Sequence, residues 1–372
     1  MASSTQLPAT MRAALWRTTT GSIEKNLKLV TNAPIPKTAS SLPKGCTLVK
    51  VPFASINHDY KLAELLLVNR IFPNPAIPGV DYSGTVVATT LTTLQLGQRV
   101  FGRTEMHECG TLAEYVVVRK SGIAPVPAGV SLKDAACVGI CGVTALQALA
   151  PFAKEGDTVL INGGSGGTGM FAIQVAKALG CARVVAVCSG RNADFCRSLG
   201  ADDVIDYKNG DLVDTLRRQG EQFDHILDTM FLNTELHWRS HHYLVPDGTY
   251  VAVGLPLTAH TFKTLISIYF LPRVFGGGKR RFKFHSVFAN PEHSLQVARW
   301  IEEGKVKPVI EDVFGLEDAG KAYARIKSGK SIGKTMALRC EVGRHMLDCQ
   351  VVMNEVLLQL FAVDTGIQNL IA

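Results

Sequence analysis

The sequence lacks a transmembrane segment, a secretory signal and a strong excess of one charge. No stretch of about 20 residues is apolar enough for a transmembrane helix, and the first ten residues contain no apolar core of a secretory signal. Charged residues make up only 19% and aromatic residues 7% of the 372 residues, and the net charge of +7 is spread along the chain. The composition therefore predicts a soluble, cytoplasmic, globular protein with no nucleic-acid partner and no transmembrane segment.

Cysteine pairs are also missing. The nine cysteines are scattered along the chain and form no Cys-x-x-Cys motif, so neither a disulfide framework nor a structural zinc lobe is predicted. Several of them lie inside apolar runs, where a cysteine behaves as a small hydrophobic residue. We expect reduced thiols in an intracellular compartment.

Two patterns divide the chain. Up to about residue 130, short β-like runs such as Thr47–Val51 are separated by Gly and Pro, which predicts a mainly β domain. Beyond it, a helix is predicted over Leu132–Ala150, and apolar strands such as Thr158–Ile161 then alternate with helices, which predicts an α/β domain built on a parallel sheet. The predicted divisions are a flexible extension (1–10), the β domain (11–130), the α/β domain (131–290), a helix with a returning strand (291–339) and a C-terminal extension with a helical pattern (340–372).

The most specific motif is a glycine-rich turn that follows the strand Thr158–Ile161 and opens a helix. Its glycines follow the G-x-G-x-x-G pattern of dinucleotide-binding turns, in which the backbone approaches a pyrophosphate closely. The helix start adds unpaired N–H groups that attract an anion. The predicted pyrophosphate site comprises Gly164, Ser165, Gly166, Gly167, Thr168 and Gly169.

The choice of dinucleotide depends on the end of the next strand, about 20 residues further on. NAD sites usually place Asp or Glu there, where it binds the ribose 2′-hydroxyl. Here the strand runs into Ser189 and Arg191 without an acid. A hydroxyl and a guanidinium suit a 2′-phosphate, so the predicted cofactor is NADPH.

Several short motifs, taken in order, resemble the medium-chain dehydrogenase/reductase superfamily, in its zinc-free branch of quinone oxidoreductases (zeta-crystallin-like) and enoyl reductases. The resemblance spans about residues 11–339 and implies a GroES-like substrate domain joined to a Rossmann domain with a doubly wound parallel sheet. The motifs that carry it are Ile77–Gly84, Gly97–Gly102, Gly110–Tyr115, Gly142–Ala145, the glycine-rich turn, Leu199–Tyr207 and Gly333–Lys334.

The same resemblance indicates whether this chain has the ligands of a catalytic zinc ion. The zinc-dependent alcohol dehydrogenases have an early Cys and a later Gly-His-Glu triplet, which supply metal ligands. This chain has Gly79-Val80-Asp81 in place of the triplet and no Cys within Ser55–Asp59. His58, Asp59 and Asp81 do not provide three suitably spaced ligands, so no metal site is predicted.

The resemblance also implies residues beside the reacting atoms. Asn57 matches an Asn near the nicotinamide, and Tyr60 or Lys61 would donate a hydrogen bond or a proton to the developing enolate. The family sequence Asn-Pro-x-Asp-x-Lys is one residue shorter here and lacks the Pro, so the placement of Tyr60 and Lys61 differs from the family pattern. Each of the two could equally begin a helix beside the cleft.

Further cofactor contacts follow from the resemblance. Thr144 matches a Thr near the nicotinamide, Tyr207 a Tyr near the adenosine phosphates, and Lys334 a Lys beside a cofactor phosphate. Gly254, which follows the strand Tyr250–Val253, completes the predicted cofactor-binding set. The alternatives are a helix-interior hydroxyl for Thr144, an interdomain packing residue for Tyr207 and a surface residue for Lys334.

These observations predict an NADPH-dependent reductase that transfers hydride to an activated C=C bond of an enone, quinone or enoyl thioester. Such a bond accepts hydride at its β carbon while protein donors stabilise the oxygen. A trans-acting enoyl reductase of polyketide or other secondary metabolism, with a carrier-protein-bound substrate, is one form of this prediction. The alternatives are a one-electron quinone reductase and a catalytically silent NADPH-binding scaffold, and the family implies a homodimer or a monomer.

Two segments have no assigned role. A basic stretch around Arg273–Lys283 could attract an anionic substrate or a membrane surface, or could be a solvated loop. In the extension 340–372, Leu347, Val351 and Leu358 suit one face of a helix. That helix could contact a partner, pack on the chain, or result from an erroneous gene boundary.

Overall fold

The computed structural model describes residues 7–16, 22–36, 41–58, 75–105, 108, 110–254, 265–268 and 278–338. Several predicted features lie outside these residues: Tyr60, Lys61, Arg273, most of the predicted N-terminal extension and the whole extension 340–372. In the described part of the chain, no helix combines the length and the apolar character that a membrane crossing requires.

The described residues form fifteen strands, nine α-helices and a further helical segment at 265–268. The strands are β1 (Thr10–Trp16), β2 (Leu27–Pro34), β3 (Cys46–Ile56), β4 (Asp81–Thr89), β5 (Arg99–Arg103), β6 (Tyr115–Arg119), β7 (Ile123–Pro125), β8 (Thr158–Asn162), β9 (Arg183–Cys188), β10 (Asp203–Asp206), β11 (Phe223–Asp228), β12 (Leu244–Ala252), β13 (Arg281–Phe284), β14 (Ile310–Gly315) and β15 (Lys334–Leu338). The helices are α1 (Ile23–Asn26), α2 (Leu132–Ala135), α3 (Val143–Leu149), α4 (Gly167–Ala178), α5 (Ala193–Ser198), α6 (Leu212–Gln219), α7 (Glu235–Trp238), α8 (Pro291–Glu302) and α9 (Ala319–Lys327).

The strands belong to three sheets. β8 to β13 form a parallel sheet in the order β10-β9-β8-β11-β12-β13, which is the doubly wound order of a Rossmann domain. The second sheet is largely antiparallel and runs β14-β15-β3-β4-β5-β7, with β6 paired to β3, while β1 and β2 form a separate pair. The predicted fold class, a Rossmann domain with a GroES-like β domain, is confirmed.

The last strand connects the two halves of the chain. After the Rossmann strands, β15 returns to the β domain and pairs antiparallel with β3, so that Thr335 lies opposite Ile56. The residues just before β15 also contact the glycine-rich turn, because the N–H of Gly333 donates to the carbonyl of Ser165 at 3.0 Å. The two halves therefore meet where β15 begins.

Buried side chains explain why the parallel strands form a central layer. Both faces of a parallel sheet are covered by helices, so its strands are apolar along their whole length. Val159 and Ile161 on β8 pack on one side of the sheet with Phe171 of α4, whereas Leu160 packs on the other side with Tyr250. A separate core fills the β domain around Trp16, Val49, Tyr82, Val100 and Tyr323.

The stretch Leu132–Ala150 is helical as predicted, but it is not a single α-helix. The structure has α2 and α3 separated by a π-helical turn at Val138–Gly142. The turn brings its backbone against the β domain: a Cβ at Gly139 would lie 2.5 Å from Oδ1 of Asp81 and 2.7 Å from the Gly102 carbonyl oxygen. The α-helix is therefore interrupted where Gly139 packs closely against the strands β4 and β5.

Candidate active site

The glycine-rich turn connects β8 to α4 through two glycines that no other residue can replace without strain. Gly163 has φ +86°, a left-handed conformation that favours glycine. At Gly169, a Cβ would lie 2.1 Å from the carbonyl oxygen of Gly163, which is far closer than van der Waals contact. Gly163 precedes the G-x-G-x-x-G pattern, and the motif alone did not identify it.

The start of α4 offers a site for an anion. Gly166 caps the helix without a side chain, so no side-chain oxygen occupies the N–H groups of the first turn. Ser165, Gly166, Gly167 and Thr168 are half-buried rather than enclosed. Amides at a helix N-terminus and an accessible backbone suit a pyrophosphate, so these residues fit a dinucleotide.

Asn192 connects this turn to the residues after β9. Its Nδ2 donates to Oγ of Ser165 at 3.0 Å, and its Oδ1 is buried without a hydrogen-bond partner among the described residues. A buried acceptor or donor is normally satisfied. Asn192 therefore fits a cofactor hydroxyl beside the turn. Its position, one residue after Arg191, is the only signal in the sequence that points to it.

The predicted ribose-binding residues lie at the carboxyl ends of β9 and β10. Ser189 is buried, Arg191 is exposed and Tyr207 is 53% exposed. The carboxylate of Asp206 lies beside them, because a Cβ at Gly190 would lie 2.4 Å from its Oδ2. Arg191 and Asp206 therefore bring opposite charges to this region.

A buried carboxylate supports the loop after β11. Asp228 accepts hydrogen bonds from Asn162, from the N–H groups of Met230 and Phe231, and from the Tyr250 hydroxyl at 2.5 Å. Burial raises the pKa of Asp228, and the Tyr250 hydroxyl and the other donors offset part of this shift.

This loop borders the glycine-rich turn. Thr229 donates to the carbonyl of Asn162 at 2.8 Å, and a Cβ at Gly163 would lie 2.3 Å from Oγ1 of Thr229. Gly254, with φ +72°, is exposed next to the same loop.

Asn57 lies in a buried polar cluster at the junction of the two domains. Its Nδ2 donates to Oδ2 of Asp81 at 2.9 Å and to the Ser55 carbonyl at 3.3 Å. Its Oδ1 accepts from Nζ of Lys334 at 2.6 Å, and the thiol of Cys141 lies 3.5 Å away. Both ends of the Asn57 amide are therefore engaged within the protein.

The structure brings some predicted residues together and leaves others apart. Asn57 and Lys334 are in direct contact, and Gly167 packs against Lys334 at the start of α4. Thr144 is buried on α3, three residues after Cys141 of the cluster. Ser189 and Tyr207 lie apart from that cluster, at the ends of their strands. The roles of these residues stay predictions.

The fold and this arrangement define an oxidoreductase that uses a nicotinamide dinucleotide. Two family descriptions match the chain: "Alcohol dehydrogenase GroES-like domain" over residues 43–128 and "Zinc-binding dehydrogenase" over residues 199–336.

The chain belongs to the medium-chain dehydrogenase/reductase superfamily. It is 39% identical to the trans-enoyl reductase pgmF of Aspergillus terreus over 345 residues, covering 88% of this chain and 96% of that protein. It is 31% identical to the zinc-type alcohol dehydrogenase-like protein C16A3.02c of Schizosaccharomyces pombe, covering 90% and 99%. The structure of the quinone oxidoreductase from Coxiella burnetii matches with a TM-score of 0.76 and 28% identity, covering 89% of this chain and 99% of that one.

The second family description implies zinc, and the residues at the junction do not fit a zinc ion. Zinc needs three or four Cys, His or carboxylate ligands. No three His, Cys, Asp or Glu side chains converge on one point in the part of the chain that the structure describes. Asn57, Asp81 and Cys141 are instead gathered around the ammonium of Lys334.

Proposed function

We propose that this protein is an NADPH-dependent, zinc-independent reductase of an activated C=C bond, acting on an enone, a quinone or an enoyl thioester. The observation that carries the proposal is the 39% identity to a trans-enoyl reductase over 96% of its length. The intact glycine-rich turn supports cofactor binding, which every form of the proposal requires.

The residues assigned to the cofactor occupy three places. The amides at the start of α4 and the Ser165 hydroxyl would bind the pyrophosphate, with Asn192 holding Ser165 in place. Ser189, Arg191 and Tyr207 would bind the adenosine end, where the guanidinium of Arg191 suits a 2′-phosphate. Thr144 would border the nicotinamide, and Gly254 would let the backbone approach the cofactor. When bound, the reduced dinucleotide supplies the hydride.

The protein's own contribution is to orient the alkene and to stabilise negative charge on the substrate oxygen. The Asn57 amide already donates to Asp81 and to the Ser55 carbonyl, so it is not available as that donor. We therefore assign the donor role to Tyr60 or Lys61, which follow Asn57 in the chain. Asn57 itself would shape the cleft wall.

The similarity to a trans-enoyl reductase narrows the substrate class. An enzyme that acts in trans receives its substrate on another protein, so we assign an enoyl thioester on a carrier protein as the natural substrate. A simple enone would then be reduced more slowly, because it lacks the contacts of the carrier arm that contribute binding energy in the transition state.

The test follows NADPH oxidation by absorbance with an enoyl pantetheine thioester, a simple enone, a quinone and an aldehyde. We expect turnover of the thioester and the enone, preference for NADPH over NADH, and no loss of activity after EDTA treatment. Aldehyde turnover that disappears with EDTA would overturn the proposal. NADPH binding without turnover of any compound would favour a silent scaffold.

Variants of the two candidate donors refine the assignment. Tyr60→Phe or Lys61→Met should lower kcat for the thioester by about 100-fold, the usual contribution of a proton donor. A residue that acts only as the proton donor leaves cofactor affinity unchanged, so the KM for NADPH should stay within about twofold. If kcat is unchanged in both variants, the proton comes from water.

A further inference from the structure

The side-chain ammonium of Lys334 is enclosed by acceptor groups. Lys334 is only 2% exposed. Its Nζ lies 2.6 Å from Oδ1 of Asn57 and 3.3 Å from Sγ of Cys141. The carbonyl oxygen of Ile56 at 3.4 Å and Oδ2 of Asp81 at 3.8 Å complete the set.

The surroundings of Lys334 stabilise the charged form of its side chain. Burial by itself lowers the pKa of Lys334, but the thiol of Cys141 and the carboxylate of Asp81 outweigh burial and the net shift is upward. Burial raises the pKa of Asp81, and the ammonium of Lys334 counteracts that shift. A buried charge persists only with such partners.

The acceptors come from both domains. Asp81 lies on β4 and Asn57 directly follows β3 in the β domain, whereas Cys141 lies in the π-helical turn that leads to α3. The carboxylate, the amide oxygen, the carbonyl and the sulfur are also the kinds of atom that bind divalent metals. These groups therefore surround the Lys334 ammonium as ligands surround a metal cation.

We propose that the Lys334 ammonium is the resident cation of this site and takes the place that the "Zinc-binding dehydrogenase" description would give to a metal ion. A metal ion there would need ligands at about 2.0–2.3 Å, and the Lys334 side chain occupies that space. The inference rests on the proposed zinc-independent reduction, and it adds to the missing ligands a side chain that fills the place of the metal ion.

The stem of the same lysine supports the glycine-rich turn. A Cβ at Gly167 would lie 3.1 Å from Cδ of Lys334 and 3.1 Å from Sγ of Cys141. The neighbouring Gly333 donates to the carbonyl of Ser165. The resident cation and the start of α4 are therefore in direct contact, so loss of the cation should also disturb the turn.

The test uses Co²⁺, because bonding between cobalt and a cysteine sulfur gives a visible absorption signal that does not depend on turnover. We expect no such signal from the wild-type protein. Lys334→Ala vacates the space between the Asp81 carboxylate, the Asn57 amide oxygen and the Cys141 sulfur. These atoms make a weaker site than a zinc site, but without the competing positive charge they should give a cobalt signal at a Co²⁺ concentration at least about tenfold below any that affects the wild type. Lys334→Ala combined with Cys141→Ser should lose the signal, and Lys330→Ala, which removes an exposed lysine nearby, should behave like the wild type.

Two outcomes would overturn the inference. The first is a wild-type protein that binds Co²⁺ through Cys141. The second is a Lys334→Ala variant that keeps its circular dichroism spectrum and cooperative melting but gives no cobalt signal.

If Lys334→Ala does not fold, the metal content of the wild-type protein tests the inference instead. Metal analysis of the protein from zinc-supplemented cells should find far less than one zinc per chain, and one zinc per chain would contradict the inference. A preparation that is metal-free yet inactive on every alkene would refute the proposed function and leave this inference standing.

Discussion

At the scale of single residues, His237 is a fully buried histidine in an aromatic environment. Its ring lies 5.1 Å from that of Tyr250 and 4.8 Å from that of Phe282, both edge-on. Burial lowers the pKa of His237 to about 4. In the unfolded chain the same group titrates near pH 6.5, so the folded protein binds a proton less readily than the unfolded chain does.

A pH dependence of stability follows. Above pH 6.5, His237 is neutral in both states and contributes nothing to the difference. As the pH falls from 6.5 to about 4, the unfolded chain gains a proton that the folded protein excludes, which lowers stability by roughly 3 kcal/mol across that window. His237→Leu should flatten the fall in melting temperature between pH 7 and pH 4.5. An unchanged profile in the variant would show that His237 does not contribute.

Arg191 provides a residue-scale test of cofactor choice. Arg191→Ala should weaken NADPH binding by about 10- to 100-fold, because a charge-assisted hydrogen bond to the 2′-phosphate is lost, and it should leave NADH binding nearly unchanged. Arg197→Ala is the matched control, since Arg197 is an exposed arginine of α5 that pairs with Asp194. If Arg191→Ala weakens the binding of NADPH and NADH equally, Arg191 does not select the 2′-phosphate. Asp206 would then be the next residue to substitute.

At the scale of elements, the turn between β8 and α4 depends on one close backbone contact. Gly169→Ala would place a methyl group 2.1 Å from the Gly163 carbonyl oxygen, whereas at Gly166 the nearest atom would lie 3.4 Å away. We therefore expect Gly169→Ala to destabilise the cofactor-free protein by about 1–3 kcal/mol.

Gly166→Ala is the control for that change, because its backbone already has φ −80° and accepts alanine. It should leave the melting temperature of the cofactor-free protein within about 1 °C of the wild type. Equal melting temperatures for the two variants would contradict this description of the turn.

Strands of the parallel sheet were the elements that the sequence predicted best. The strand predicted over Thr158–Ile161 begins where β8 begins and ends one residue before it, because the apolar run is followed by the polar Asn162. The helix over Leu132–Ala150 was predicted without its interruption, since the cause is a contact between Gly139 and Asp81 that local pattern cannot reveal. β12 begins earlier than predicted, at Leu244, because its first residues pair with β11.

The site was predicted in part for the same physical reason. A turn such as Gly164–Gly169 carries its chemistry in consecutive residues, so its motif is visible in the sequence. The cluster around Lys334 joins Asn57 to a residue 277 positions away, and only the return of β15 to β3 brings them together. The resemblance pointed to Asn57 and Lys334 separately, and the missing His of the Gly79-Val80-Asp81 triplet pointed to Asp81, but no pattern in the sequence joined the three.

At the scale of the whole molecule, the pair Lys334 and Asp81 joins the strands β15 and β4 next to the domain junction. Lys334→Met should cost about 3–5 kcal/mol, because it leaves a buried carboxylate without its cation. Adding Asp81→Asn should recover part of that loss, since the pair is then neutral. Melting temperatures of the two single variants and the double variant test this, and additive losses would contradict it.

The position of an isotope label in the product distinguishes hydride transfer to the alkene from hydride transfer to the carbonyl. The protein is incubated with an enoyl pantetheine thioester and NADPH that carries deuterium at C4 of the nicotinamide, and the product is analysed by mass spectrometry and NMR. We expect a saturated thioester with deuterium at the β carbon. An unsaturated alcohol or aldehyde labelled at the former carbonyl carbon, or an unchanged thioester beside a bound cofactor, would contradict it.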